Sequence, residues 1–135
     1  MPSIDYQAPA LAWYDAMAVR DWDRLRGLVG LNIDFVVAQG FPNGGHYVGR
    51  DAVFDDYFPE AGKAWDSLVP VIDQVIPAGE YTTILGRYVG VTAATKTAFD
   101  IDFAHVWRSD GEQLTELRQY IDTALFQDRV AGIAA

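Results

Sequence analysis

Between Phe99 and Arg108 the odd positions carry Phe99, Ile101, Phe103, His105 and Trp107, while the even positions include Asp100, Asp102 and Arg108. A repeat of two predicts a strand with one buried face and one wet face, so His105 is expected inward among aromatic rings. Ser109-Asp110-Gly111-Glu112 follows, and Asp-Gly is a strong short-range signal for a hairpin turn. The return run, Leu114 to Phe126, places Arg118, Tyr120 and Asp122 on one face and Leu117, Gln119, Ile121 and Thr123 on the other. The first of these faces is expected to meet a pocket and the second to lie outside.

Upstream the period lengthens. Leu11, Tyr14 and Ala18 recur at spacings of three and four, which predicts a helix over Tyr6 to Arg20 with Pro9 confined to its first turn. Asp21 is placed to cap a second helix, whose Trp22, Leu25, Leu28 and Val29 share a face before Gly30. Asn32 to Ala38 reads as a strand, and Gly40-Phe41-Pro42-Asn43-Gly44-Gly45-His46 as a tight turn. Gly49-Arg50-Asp51 leads into a third helix with an apolar stripe of Val53, Phe54, Tyr57 and Phe58, continued after Pro59 by a further helical segment holding Trp65. Leu68 to Ile76 and Tyr81 to Ala93 then return to strand patterning. Helices first and strands afterwards predict an α+β domain: three N-terminal helices packed on one face of a strongly curved antiparallel sheet, with residues 1–135 forming a single unit.

Composition narrows the partners. The chain has 135 residues, half of them hydrophobic and 13% aromatic, enough for a real core with rings to spare for a cavity wall. A net charge of −9 opposes binding to phosphate backbones or anionic membranes, where clustered Lys and Arg supply the affinity. There is no cysteine, so disulfides and thiolate metal sites are excluded and a cytoplasmic setting is the default expectation. Neither a signal peptide nor a run of about 20 apolar residues is visible.

The order of elements, with Trp13-Tyr14-Asp15, Arg20-Asp21-Trp22, Tyr47-Val48-Gly49-Arg50-Asp51-Ala52, Phe103-Ala104-His105-Val106-Trp107 and Arg118-Gln119-Tyr120-Ile121-Asp122, resembles the nuclear-transport-factor-2-like superfamily, and within it the SnoaL-like branch. The resemblance implies a cystatin-like cone that encloses a pocket. It also implies a role for Asp122 as general acid or base, since an aspartate on the last strand does this work in SnoaL-like cyclases and in limonene epoxide hydrolase. A carboxylate in an apolar pocket has its pKa raised and becomes a usable proton carrier near neutrality. The alternative is an Asp122 that pairs with Arg118 or bonds a helix end. His105 is a candidate to hold or relay a proton beside Asp122 or Tyr120, or else a buried histidine satisfied by a carbonyl or hydroxyl.

Tyr14 stands where the resemblance places the oxyanion-stabilising tyrosine of ketosteroid isomerase. That isomerase's second donor is replaced by Phe103, and its general base has no counterpart among Ala38, Gln39 and Gly40. Steroid isomerisation is therefore disfavoured. Epoxide hydrolysis is disfavoured too, because Gly86-Arg87-Tyr88-Val89 retains the arginine of the required pair without its carboxylate. His46 and the second histidine lack a neighbouring carboxylate at facial-triad spacing and do not make a metal site, Gly40 to Gly45 is not a phosphate loop, and Asp51, Asp55 and Asp56 read as a solvated helix face. The reading is a cofactor-independent enzyme for proton transfer, cyclisation or isomerisation of a hydrophobic carbonyl-bearing ligand. Asp122 and His105 are its catalytic pair, and Tyr14, Tyr57, Trp65, Tyr88, Trp107, Arg118 and Tyr120 shape the pocket. A non-catalytic binding module and a dimeric scaffold stand as alternatives. A homodimer through the outer sheet face is expected from the strip Leu117, Ile121 and Thr123.

Overall fold

A computed structural model describes residues 3–130. Helix α1 (Ala8–Ala18) starts after Asp5, whose carboxylate accepts from the Gln7 and Ala8 amides, and carries Pro9 in its first turn, where no helical N–H is lost. Helix α2 (Trp22–Leu28) is capped by Asp21, which accepts from the Arg24 amide at 3.2 Å. Strands β1 (Val29–Val37) and β2 (Gly45–Val48) form a hairpin through the Pro-Asn-Gly-Gly turn. A π-helical turn, Ala52–Tyr57, runs into helix α3 (Phe58–Ala61) and a 3-10 turn, Gly62–Ala64. Strands β3 (Trp65–Ala78), β4 (Tyr81–Thr92), β5 (Ala98–Ser109) and β6 (Leu114–Ile121) follow, and helix α4 (Thr123–Arg129) closes the described chain.

The six strands make one curled, unclosed sheet in the order β2-β1-β6-β5-β4-β3, with the four helices packed on it. All neighbours are antiparallel except β1 and β6, which run parallel. The expected α+β architecture is present, with a fourth helix, a sixth strand and one parallel pairing added to it. Trp65, expected in a helix, opens β3 instead. The long β3 strand carries two bulges, at Asp66 and Asp73, each an extra residue against β4.

The faces of β6 are the reverse of those expected. Residues directly opposite one another in an antiparallel pair share a face, and the register opposes Trp107 to Leu117, His105 to Gln119 and Phe103 to Ile121. The inward row of β5 therefore draws Leu117 and Gln119 inward, to 3% and 6% exposure. Arg118 and Tyr120 face solvent, Arg118 holding Glu116 at 2.8 Å. The apolar strip invoked for a dimer falls with Leu117; the exposed large hydrophobic of β6 is Tyr120, and those of β3 and β4 are Val69, Ile76, Tyr81 and Val89.

Asp122 lies one residue beyond β6 and is the N-cap of α4, its carboxylate accepting from the Leu125 amide at 3.0 Å. The run read as a single strand to Phe126 breaks there, and α4 turns Phe126 back under the sheet against Phe41, Phe99 and Trp65. Among the described residues no helix is long and apolar enough to cross a membrane.

Candidate functional site

Between the helices and the concave side of the sheet lies a cavity of about 120 Å³, close to the size of an apolar cavity that accepts a single aromatic ring. Its wall is mostly rings, and all four tryptophans of the chain contribute to it. Helix α1 supplies Trp13 and Tyr14, the π-helical turn supplies Tyr57, and the strands supply Tyr88, His105, Trp107 and Gln119. Tyr57 ends the π-helical turn and its successor Phe58 opens α3, and both reach this wall.

Of the sequence candidates, Tyr14, Tyr57, Trp65, Tyr88, His105 and Trp107 line the cavity; Arg118, Tyr120 and Asp122 do not. Asp122 is exposed and engaged as a cap, so the expected pairing with His105 is absent. Replacing it tests this placement. Asp122→Asn keeps a capping oxygen and should leave stability near wild type, whereas Asp122→Ala should lose about 1 kcal/mol by denaturant unfolding. Neither should alter occupancy of the cavity; a drop in ligand affinity for Asp122→Asn at unchanged stability would return this aspartate to the site.

His105 is instead the centre of a buried polar chain. Its Nδ1 lies 2.6 Å from the Tyr14 hydroxyl and its Nε2 lies 2.9 Å from the Tyr88 hydroxyl. Trp107 Nε1–H donates to the Tyr14 oxygen at 2.9 Å, and Gln119 Nε2–H donates to the Tyr88 oxygen at 2.9 Å. The Gln119 amide is oriented by its other end, where Oε1 accepts from the Ala38 amide at 3.2 Å. The Phe103 ring stacks on the imidazole at 3.8 Å between centroids, which fixes its plane.

Burial sets the charge state. Desolvation pulls the His105 pKa down to about 3, so the imidazole is neutral and carries one N–H. Desolvation likewise pushes the Tyr14, Tyr57 and Tyr88 hydroxyls above the ordinary tyrosine range, so all three keep their protons.

The two links between imidazole and tyrosines need two protons, and the three groups hold three. Whichever ring nitrogen carries the N–H gives it to one tyrosine oxygen, and that tyrosine's own proton is left without an acceptor in the chain. With Nδ1–H the surplus is on Tyr14; with Nε2–H it is on Tyr88. Both tyrosines line the cavity, so either tautomer offers a hydroxyl proton to its contents, and a buried donor without a partner is costly until something accepts from it.

Gln119 was missed by sequence reading, which placed it outside; its neighbour Leu117 was missed for the same reason. Arg20, the one charged residue of the lining, was passed over as the end of a helix. His46, set aside as a metal ligand, pairs with Asp34 across the β1–β2 hairpin at the surface.

Residues 10–117 match the family model described as SnoaL-like domain. Among solved structures, an NTF2-like protein from Burkholderia thailandensis is 28% identical with a TM-score of 0.84, the match covering 96% of this chain and 98% of that one. An NTF2-like protein of unknown function from Burkholderia pseudomallei is 18% identical with a TM-score of 0.85, over 94% and 98% of the two chains. TerC, co-crystallised with polyporic acid, is 18% identical with a TM-score of 0.82, over 91% and 95%. No curated protein matches the chain.

Proposed function

Since the chain belongs to the SnoaL-like domain family, we propose that it catalyses cofactor-independent proton transfer, isomerisation or cyclisation, on a small apolar ring ligand that bears a carbonyl. The surplus hydroxyl proton of the Tyr14–His105–Tyr88 chain is the observation that carries this reading. Start from the tautomer with Nδ1–H. The ligand's carbonyl oxygen takes the Tyr14 proton, Tyr14 is refilled from Nδ1, Nε2 takes the Tyr88 proton, and the Tyr88 oxygen takes the proton from the carbon beside the carbonyl. The ligand leaves as its enol, both tyrosines end neutral, and the imidazole has changed tautomer without becoming charged. That suits a ring whose protonation is suppressed to about pH 3.

A binding module is the second reading, favoured by the lack of any Asp or Glu in the cavity lining and hence of an anionic base. Deuterium uptake from D2O at the carbon beside the carbonyl of phenylacetone, followed by NMR, separates the two. The wild type should accelerate uptake, and Tyr14→Phe and Tyr88→Phe should each lose on the order of 10²-fold or more. Wild-type uptake no faster than buffer, with phenylacetone bound, would leave the binding module standing.

A further inference from the structure

We infer that Arg20 selects ligands that carry a carboxylate, holding that group at the cavity mouth while the ring lies inside. The inference rests on the cavity being a ligand site and names the class of ligand it takes.

The chain carries a net charge of −9, yet the only charged residue among the cavity lining is an arginine. Arg20 is exposed and lines the cavity beside Trp22, which places it where the cavity meets solvent. Most other cations are occupied: Arg26, Arg87, Arg108 and Arg118 hold carboxylates and Arg50 holds the Val29 carbonyl, while Arg24, which also holds no carboxylate among the described residues, does not line the cavity. Among the described residues Arg20 holds no carboxylate within salt-bridge distance. The carboxylate of the adjacent Asp21 is turned to the Arg24 amide as a helix cap. A planar guanidinium left unpaired is suited to bidentate capture of a carboxylate from outside the chain.

The backbone makes the same point independently. Helix α1 ends in a Schellman motif, with the Asp21 amide donating to the Ala16 carbonyl at 3.0 Å and the Arg20 amide donating to the Met17 carbonyl at 3.2 Å. Arg20 occupies the left-handed position of that motif, with φ of 50°. Glycine is the residue this position favours, because a Cβ is strained there. Arg20 thus carries the backbone cost of a glycine-favouring position while its side chain lies at the edge of the cavity with, among the described residues, no carboxylate to hold.

The test uses 4-hydroxybenzoate and 4-hydroxybenzamide, a matched pair of similar shape that differs in charge. Binding is read from the intrinsic fluorescence of the tryptophans, all of which line the cavity. Wild type should bind the benzoate at least tenfold more tightly than the benzamide. Arg20→Gln should erase that preference while leaving the benzamide affinity unchanged. Arg20→Gly should do the same with a Tm at or a few degrees above wild type, which separates lost recognition from lost folding. Binding of both compounds by wild type with equal affinity would overturn the role of Arg20 and leave the cavity as a neutral-ligand site. Binding of neither at millimolar concentration would overturn the cavity reading together with it.

Discussion

Lowering the pH from 7 to 4.5 should destabilise the wild type by about 2.5 kcal/mol more than it destabilises His105→Gln. In the unfolded chain His105 takes up a proton as the pH falls through about 6.5, the ordinary histidine value. In the native protein desolvation withholds that proton until about pH 3. The unfolded state therefore binds more protons throughout this window, and stability declines with falling pH until the native imidazole is itself protonated. Glutamine does not titrate, so His105→Gln should keep only the acid sensitivity common to the rest of the chain. Urea unfolding of both proteins at several pH values gives the two slopes. Parallel slopes would mean that the imidazole is hydrated or protonated in the native state, which would overturn the neutral three-proton chain at the site.

Gly86→Ala should cost about 3 kcal/mol or more, the level reached when a side chain is forced into filled space. Gly86 is buried on β4, opposite Ile72 beside the Asp73 bulge and opposite Phe103 on β5. A Cβ there would overlap the Val71 carbonyl and come within 2.8 Å of the Phe103 ring. Neither can retreat, since the first is ladder backbone and the second is the ring stacked on His105. Gly27 in α2 is the control: an added Cβ meets nothing within 4 Å, and Gly27→Ala should stabilise by roughly 0.5 to 1 kcal/mol. Equal denaturation midpoints for the two variants would refute the claim that β4 needs glycine to let the aromatic layer lie against the sheet.

The inward row of β5 was legible because Phe99, Ile101, Phe103, His105 and Trp107 repeat without interruption, and its burial followed from that repeat alone. The face of β6 was not legible, and the reason is one residue. A four-residue loop with Ser109 opposite Leu114 and no irregularity would place Arg118 opposite His105. Thr115 is an extra residue between that pair and the next, so Arg108 meets Glu116 and His105 meets Gln119. A one-residue shift exchanges every side chain between the faces, and nothing in Leu114-Thr115-Glu116 announces it. Asp122 was misplaced for a related reason. Its identity fits a site carboxylate and a helix cap equally well, and only the end of β6 at Ile121 decides between them. Tyr14 and Tyr88 were recognisable as wall residues, but their links to the two nitrogens of one ring depend on contacts across 91 and 17 residues of chain. Local pattern carries no record of such distances.

The bulge at Asp73 also governs how the sheet meets its surroundings. Strand β3 is an outer strand with β4 as its one neighbour, and it contains Pro70 and Pro77. Along a strand the amide nitrogens point alternately to the two sides, and a proline nitrogen is tolerated only on the side without a neighbour. Positions 70 and 77 are separated by an odd number of steps, so in an unbroken strand one of the two would face β4. The extra residue at Asp73 restores the parity and turns both prolines outward. The open rim of the sheet is thereby interrupted twice along its length. A foreign strand approaching it finds no continuous row of donors to pair with, which blunts edge-to-edge growth of the sheet. The bulge that lies beside Gly86 at the heart of the domain also keeps the border of the sheet from recruiting other chains.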